Sequence, residues 1–282
     1  MKRCLTIQDY SCMGRCSLTV ALPILSATGI ETVGLPTAVL SNHTAFKEWT
    51  YHDLSSELIK SVDMWSNYNN HFDCIYTGYL GNGQADIVIK IIEKLKAGNP
   101  LVVIDPAFGD NGKLYAGFGL DHVKEMAELL KYADVTIPNV TEATSMLGLE
   151  YKGECLSKKE IKAIVVSLSN LGPKKVILTG IRNKEGKVGC AIYDSVVDKI
   201  ETYFTECLPG KFHGAGDTFS SALVGAILNN VPLKSSVKIA HDFVHKGMND
   251  AIENHQDGLL YGLPFEMHLN YLYKAIQAKK IK

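Results

Sequence analysis

The segment Gly214-Ala215-Gly216-Asp217 holds the residue types best suited to chemistry in this chain. Two glycines in so short a turn allow the backbone to bend sharply and to approach a ligand closely. A helix is predicted from about Asp217, so free N–H groups and the positive end of the helix dipole would face the turn. Such a main-chain site binds anions, phosphate among them. A carboxylate beside it could accept the proton of an alcohol that attacks a phosphoryl group.

Two further acids follow predicted strands. Asp105 ends a buried apolar strand, and Glu142 comes shortly after another. Carboxylates in such positions suit Mg²⁺ that is held mostly through water next to phosphate. Plain alternatives remain open at this point: Asp217 could simply cap its helix, and Asp105 and Glu142 could be capping or surface acids.

These candidates lie in a chain in which short apolar strands alternate with amphipathic helices. Strands are predicted at 3–8, 31–40, 74–77, 101–105, 135–137 and 175–179, with an antiparallel hairpin of 187–193 and 199–205. Helices are predicted at 17–27, 53–65 with Asp53 as N-cap, 85–95, 120–132, 142–147, 158–171, 217–228, 233–251 and 264–278. The alternation predicts an α/β fold in one domain spanning residues 1–282, with a mostly parallel sheet covered by helices on both faces. Ligands of such sheets bind beyond the carboxyl ends of the strands, where these acids fall.

The composition excludes several other classes of protein. The chain has 282 residues, of which 46% are hydrophobic and 21% charged, so intrinsic disorder is excluded. A net charge of -1 leaves no basic excess for nucleic-acid binding. No apolar run approaches the roughly 18–20 residues that span a bilayer, and the N-terminus turns polar too soon for a secretion signal, so a cytoplasmic protein without a membrane partner is expected. The scattered cysteines form no disulfide framework or zinc motif.

Short segments at the predicted strand ends also carry a family resemblance that spans most of the chain. They are Ile7-Gln8-Asp9 with Gly14, Ser41-Asn42-His43-Thr44, Thr77-Gly78-Tyr79-Leu80-Gly81, Asp105-Pro106 with Gly109, Pro138-Asn139 with Glu142, and Gly214-Ala215-Gly216-Asp217. The last of these resembles the hallmark turn of the ribokinase-like kinases. The Ser-Asn-His-Thr and Gly-Tyr-Leu-Gly segments are similar to those of the vitamin B6 kinases within that superfamily. The resemblance implies a three-layer α/β sandwich.

The resemblance also implies an activity, which is ATP-dependent phosphorylation of the 5′-hydroxymethyl group of pyridoxal, pyridoxamine or pyridoxine. It makes Asp217 the general base and His213 to Gly216, including Ala215, the anion hole for the transferring phosphoryl group. Asp105 and Glu142 would position Mg²⁺ and the ATP phosphates. The other implied contacts are Asn139, Thr179, Thr205 and His213 to the nucleotide, and Asp9, Cys16, Thr44 and Tyr79 to the pyridine ring. A homodimer is implied as well, and a monovalent cation is left open.

Two positions depart from the family pattern. Many members place Ser at the position of Asp9, so we expect this chain to favour a ring that bears an amino or aminomethyl group. Many carry Lys or another polar residue at Thr179, so we expect different nucleotide contacts. Two alternatives to a B6 kinase stay open: a hydroxymethylpyrimidine or hydroxymethylpyrimidine phosphate kinase, and a non-catalytic ligand-binding protein. The intact turn and both outer acids favour an enzyme, because a binding protein does not need a base there.

Overall fold

The structure is a computed structural model that describes residues 1–68, 71–254 and 260–280. The described strands are β1 (Arg3–Met13), β2 (Glu31–Asn42), β3 (Tyr51–Asp53), β4 (Cys74–Thr77), β5 (Leu101–Ile104), β6 (Gly109–Asp110), β7 (Lys113–Leu114), β8 (Val135–Thr136), β9 (Lys175–Arg182), β10 (Val188–Asp194) and β11 (Lys199–Thr205). The described α-helices are α1 (Leu18–Ala27), α2 (Ser55–Trp65), α3 (Gln84–Leu95), α4 (Leu120–Leu129), α5 (Val140–Met146), α6 (Lys158–Ser169), α7 (Ala215–Leu228), α8 (Leu233–Asn254) and α9 (Leu269–Lys279).

The chain falls into two compact units. The first contains Met1–Gly78, Leu95–Pro100 and the part from Leu208 onward, and the second contains Tyr79–Lys94 and Leu101–Cys207. The single domain expected over residues 1–282 stays a prediction.

In the first unit the strands lie in the order β4-β1-β2-β3. β1 is parallel to both β4 and β2, and only the short edge strand β3 runs antiparallel. α1 packs against β1 and β2, and also contacts α7. The core is formed by fully buried side chains such as Leu5 and Ile7 on β1 and Ile24 and Leu25 on α1. Apolar side chains in consecutive strand positions are expected where helices cover a parallel sheet.

In the second unit the strands lie in the order β11-β10-β9-β8-β5. β5, β8 and β9 are parallel, and β9, β10 and β11 are joined in antiparallel fashion. α6 packs on β9 and β10, where Val165 and Leu168 are fully buried. α5 and α6 each begin with a capping box, in which Asn139 pairs with Glu142 and Ser157 with Glu160.

The predicted α/β alternation is confirmed, and each predicted strand and helix has a counterpart in the structure. Several boundaries were wrong. The first strand continues to Met13, with a bulge between Gln8 and Tyr10. The second helix begins at Ser55, with Leu54 as its N-cap, because Asp53 belongs to β3. The Asp53 side chain still accepts a hydrogen bond from the Ser55 N–H at 2.8 Å. Within the described residues, no helix is long and apolar enough to cross a membrane.

Candidate active site

The glycine-rich turn forms the start of α7. The helix begins at Ala215 rather than at Asp217, and its N-cap is Gly214 in the left-handed conformation, with φ 69° and ψ 5°. A Cβ atom at Gly214 would collide with the carbonyl oxygen of Arg15, so this close approach also requires glycine. Gly216 has no such requirement, because nothing lies within 4 Å of the Cβ position there. The Ala215 N–H points back to the carbonyl oxygen of Phe212 over a long 3.4 Å hydrogen bond.

Asp217 lies in the first turn of α7, where the helix dipole favours a negative charge. Its Oδ2 atom accepts a hydrogen bond from the backbone N–H of Ser17 at 3.0 Å. Gly214 occupies the N-cap and has no side-chain capping bond. Capping therefore does not describe Asp217, whose carboxylate is directed to another segment of the first unit.

Asp9, Cys16 and Asp217 lie together in the first unit. The Asp9 carboxyl is only 3% exposed and accepts a hydrogen bond from the Ser11 hydroxyl at 2.8 Å. Burial raises the pKa of Asp9, while hydrogen bonds from the Ser17 and Ser11 side chains act in the opposite direction. Burial also raises the pKa of the Cys16 thiol well above its usual value, and the negative charges of Asp217 and Asp9 raise it further. One polar cluster thus contains Asp217 as the candidate base, Asp9 as the candidate contact to the ring, and the protonated thiol of Cys16.

His43 was not assigned a role from the sequence, yet it joins three parts of the first unit. Its Nε2 atom lies 2.7 Å from the Leu260 carbonyl oxygen, and its Nδ1 accepts the Ala45 N–H at 3.3 Å, so the proton is assigned to Nε2. The ring lies 5.4 Å from that of His213, centroid to centroid. Burial lowers the pKa of His43, and His213 lowers it further. His43 therefore links the segment of the half-buried Thr44 to Leu260 and to His213, which directly precedes Gly214.

The two outer acids lie in the second unit and act on each other. Glu142 is 2% exposed and Asp105 is 7% exposed. One Glu142 oxygen accepts the Phe108 N–H at 3.0 Å, and the other accepts the Asn139 N–H at 2.9 Å. Burial raises the pKa of Glu142 well above its usual value, and the neighbouring charge of Asp105 raises it further. Glu142 thereby ties the loop after β5 to the start of α5.

This pair fits the divalent cation that the resemblance implies. Two carboxyl groups that repel each other gain from a bound cation, and hard oxygen ligands suit Mg²⁺. No cluster of three or more His, Cys, Asp or Glu residues placed to hold a metal occurs among the described residues. Water and phosphate oxygens would therefore have to complete the coordination shell, as Mg²⁺ prefers.

The remaining predicted residues lie in the second unit, at a helix cap, on two strands and in an aromatic contact. Asn139 caps α5, and its Nδ2 donates to the Gly109 carbonyl oxygen at 2.7 Å. Thr179 lies on β9, where its N–H donates to the Pro138 carbonyl oxygen at 2.9 Å. Thr205 is the last residue of β11. The Tyr79 ring packs beside Phe118, with centroids 5.3 Å apart. None of these contacts tests the nucleotide or ring roles, which stay predictions.

Known kinases resemble this chain in sequence and in fold. The family model described as phosphomethylpyrimidine kinase matches residues 24–259. A pyridoxal kinase of Dictyostelium discoideum is 30% identical over 78% of this chain and 76% of its own. A Bacteroides thetaiotaomicron protein assigned as a phosphomethylpyrimidine kinase, crystallised in an orthorhombic form with pyridoxal, is 36% identical with a TM-score of 0.91, covering 96% of this chain and 95% of its own. Pyridoxal kinase from Lactobacillus plantarum is 27% identical with a TM-score of 0.88 over 100% of both chains.

Family and fold together define an α/β kinase with the mostly parallel sheet and flanking helices of the ribokinase-like superfamily. The chain belongs to the phosphomethylpyrimidine kinase family, and it is a homologue of the pyridoxal kinases. The resemblance, the fold class and the expectation of an enzyme are thereby confirmed.

Proposed function

We propose that this enzyme transfers the γ-phosphoryl group of ATP to the 5′-hydroxymethyl group of a B6 vitamer. One observation carries the proposal: the Asp217 carboxylate lies in the first turn of α7, 3.0 Å from the Ser17 N–H, in one cluster with Asp9 and Cys16. This cluster combines a base, an anion-binding helix start and a polar group for a heteroaromatic ring. The relative crystallised with pyridoxal supports the same substrate class.

In the proposed reaction Asp217 removes the proton of the 5′-hydroxyl group as its oxygen attacks the γ-phosphorus. The new O–P bond forms while the bond to the β-phosphate oxygen breaks, and ADP leaves with the electron pair of that bond. At the start of α7, from Gly214 to Gly216, main-chain N–H groups and the positive end of the helix dipole would stabilise the transferring group, and the Ala215 N–H would exchange its long bond to the Phe212 carbonyl oxygen for one to that group. Proton removal and charge stabilisation would thus come from adjacent residues of one turn.

Residues of the second unit are proposed to bind Mg²⁺ and most of the ATP. Asp105 and Glu142 would hold Mg²⁺ through water and phosphate oxygens, and the ion would neutralise charge on the phosphates when bound. Asn139, Thr179 and Thr205 of the second unit are proposed to contact the nucleotide, and the same role is proposed for His213, which belongs to the first unit. The repulsion between the buried carboxyl groups of Asp105 and Glu142 supports the Mg²⁺ assignment, because a bound cation would relieve it.

Ring recognition is assigned to Asp9, Cys16, Thr44 and Tyr79. Asp9 would bind the polar edge of the ring, and as a carboxylate it would favour an amine-bearing vitamer such as pyridoxamine. Cys16 keeps its proton and would offer a small, weakly polar surface.

A homodimer is part of the proposal. Large apolar side chains that are each more than a third exposed lie on or next to β1, β2 and β3, namely Tyr10, Met13, Val39, Trp49 and Tyr51. Tyr10 and Val39 are direct partners in the β1–β2 register, so they form one continuous surface. A surface of this kind favours association with a second copy. Sedimentation of the wild-type chain and of Tyr10→Glu tests this, with a shift from dimer to monomer expected for the variant and two equal masses contradicting it.

A hydroxymethylpyrimidine kinase is the second candidate, because the matching family model carries that description. The same base and turn would serve it, so only the ring differs. Release of ADP with Mg-ATP, measured with pyridoxal, pyridoxamine, pyridoxine and hydroxymethylpyrimidine side by side, separates the two candidates by kcat/KM. We expect a B6 vitamer to give the highest value. A higher value for the pyrimidine would favour the second candidate, and no turnover with any ring would reject both.

The same assay tests the base. Asp217→Asn should lower kcat by about 10²–10⁴-fold, because general-base catalysis contributes that much. Glu160→Gln is the matched control, since Glu160 also lies in the first turn of a helix but belongs to the capping box of α6. Asp217→Asn with wild-type turnover would reject the proposed role.

A further inference from the structure

Ser17 departs from the usual behaviour of a serine at a helix start. It is the N-cap of α1, yet its side chain makes no capping hydrogen bond. Its backbone has φ 52° and ψ −127°, whereas capping serines normally have extended backbones and accept an N–H from the first turn. A positive φ of this kind is unfavourable for a residue with a side chain. Helix capping therefore does not explain this residue.

The polar groups of Ser17 are directed to the candidate site instead. Its N–H donates to Asp217 Oδ2 at 3.0 Å. Its side chain interacts with the Asp9 carboxyl and lowers the pKa that burial raises. Its carbonyl oxygen accepts the N–H groups of Val20 and Ala21 at 3.0 and 2.9 Å, so α1 still starts at this residue. Ser17 itself is only 4% exposed. One buried residue thus contacts both acids through two different groups.

We propose that Ser17 is a positioning residue, whose strained main chain aims its N–H at Asp217 and its hydroxyl at Asp9, so that the base is fixed relative to the ring-binding acid. The proposal deepens the proposed function and rests on it. Strained backbone persists where the surroundings impose it, and it is concentrated at functional sites. Glycine would adopt this conformation without strain but would supply no hydroxyl and would hold the N–H less firmly.

Two substitutions separate the two groups of Ser17. Ser17→Ala removes the hydroxyl and keeps a side chain that restricts the backbone, so KM for the vitamer should rise about tenfold, with kcat within about threefold of the wild type. Ser17→Gly removes the hydroxyl and also frees the backbone, so it should show the same KM and a kcat about tenfold lower than Ser17→Ala. Ser17→Gly should nevertheless melt at a temperature no lower than Ser17→Ala, since alanine is disfavoured at a positive φ.

Asn99→Gly is the matched control for freeing the backbone. Asn99 also has a positive φ, of 49°, but it is exposed and lies at the end of the turn that follows α3. Its kcat and KM should equal those of the wild type. Equal kcat values for Ser17→Ala and Ser17→Gly would overturn the positioning role of the backbone. If the variant with the lower melting temperature also has the lower kcat, Ser17 has only a structural role and the proposal is overturned. Unchanged kcat and KM in both variants would overturn it as well.

Carboxyl ¹³C NMR titration tests the proposal without turnover, and so separates it from the proposed function. Loss of a hydrogen bond to a carboxylate raises its pKa. The pKa of Asp9 should therefore rise in both variants, and that of Asp217 only in Ser17→Gly. Cys16 and Tyr51, which both interact with the charge of Asp9, stay protonated over this range, since the pKa of Cys16 is well above its usual value and that of Tyr51 is raised to about 12. Unchanged Asp9 and Asp217 titrations would overturn the proposal even for an enzyme with another substrate.

Discussion

The carbonyl oxygen of Arg15 occupies the space that a side chain at Gly214 would need. The loop after β1 therefore presses on the first residue of the turn that carries Asp217. Gly214 also holds a left-handed conformation with φ 69°, which costs a residue with a side chain roughly 1–2 kcal/mol. Two independent constraints thus require glycine at this position.

We predict that Gly214→Ala lowers the free energy of unfolding by at least about 2 kcal/mol and removes most of the activity, because backbone must shift in the loop or in the turn. Gly216→Ala serves as the stability control, since nothing lies within 4 Å of its Cβ position and alanine is the better helix former. Urea unfolding of both variants provides the measurement. Equal stability of Gly214→Ala and the wild type would contradict the close approach.

The turn could be predicted because its signal is local: the glycines, the acid and the helix start lie within a few residues. The capping box of Asn139 and Glu142 is local too, since an Asn three residues before a Glu is a known helix-start pattern. Strand and helix types followed from apolar periodicity, whereas the edge strand β3 has only three residues, all of them exposed, and carries no such signal.

Other parts of the site depend on contacts between distant residues. The bond from His43 to the Leu260 carbonyl joins residues 217 positions apart, and that from Ser17 to Asp217 joins residues 200 apart. The sequence predicts only a helix that begins near Ser17, because a positive φ is imposed by tertiary contacts and leaves no local pattern. Sequence reasoning therefore missed Ser17 and His43, whose contacts are of this kind.

His122 should make the second unit sensitive to acid. It is 2% exposed, stacks on Phe118 with centroids 3.8 Å apart, and neither ring nitrogen has a hydrogen-bond partner among the described residues. Burial lowers its pKa from 6.5 to about 4. The unfolded chain then binds a proton between these two values while the folded chain does not, so stability is full above pH 6.5 and falls as the pH drops towards 4.

We predict that His122→Phe removes up to about 3 kcal/mol of this acid-induced loss, because phenylalanine keeps the stack and takes up no proton. The Glu125 carboxylate lies 3.9 Å from His122 Nδ1 and stays in place in this variant. Urea unfolding at pH 7.5 and pH 4.5 provides the comparison, with the exposed His52→Gln as control. A wild-type pH dependence in His122→Phe would show that this histidine is not responsible.

Cys16, in the loop after β1, should be alkylated slowly. Only the thiolate reacts with iodoacetamide, and burial together with the charges of Asp217 and Asp9 raises the pKa of Cys16. Cys12 and Cys155 are exposed and serve as internal references in the same sample. At pH 8 we expect Cys16 to be labelled at least about tenfold more slowly than either, as followed by peptide mass spectrometry. Asp217→Asn should accelerate Cys16 labelling alone, and labelling of Cys16 as fast as Cys12 would contradict the cluster.

Asp9 should determine which vitamer is preferred. An ammonium group that pairs with a buried carboxylate gains a charge-assisted hydrogen bond of roughly 1.5–3 kcal/mol, or about tenfold to a hundredfold in binding. Burial alone raises the pKa of Asp9, whereas a bound ammonium group would lower it and keep the carboxylate charged. Asp9→Ser and the isosteric Asp9→Asn should therefore both lower the ratio of kcat/KM for pyridoxamine to that for pyridoxal by about tenfold or more. Ser11→Ala is the control, because it removes a hydroxyl from Asp9 and leaves the charge in place. If both Asp9 variants keep the wild-type ratio while overall turnover falls, Asp9 contacts a part of the ring that the two vitamers share.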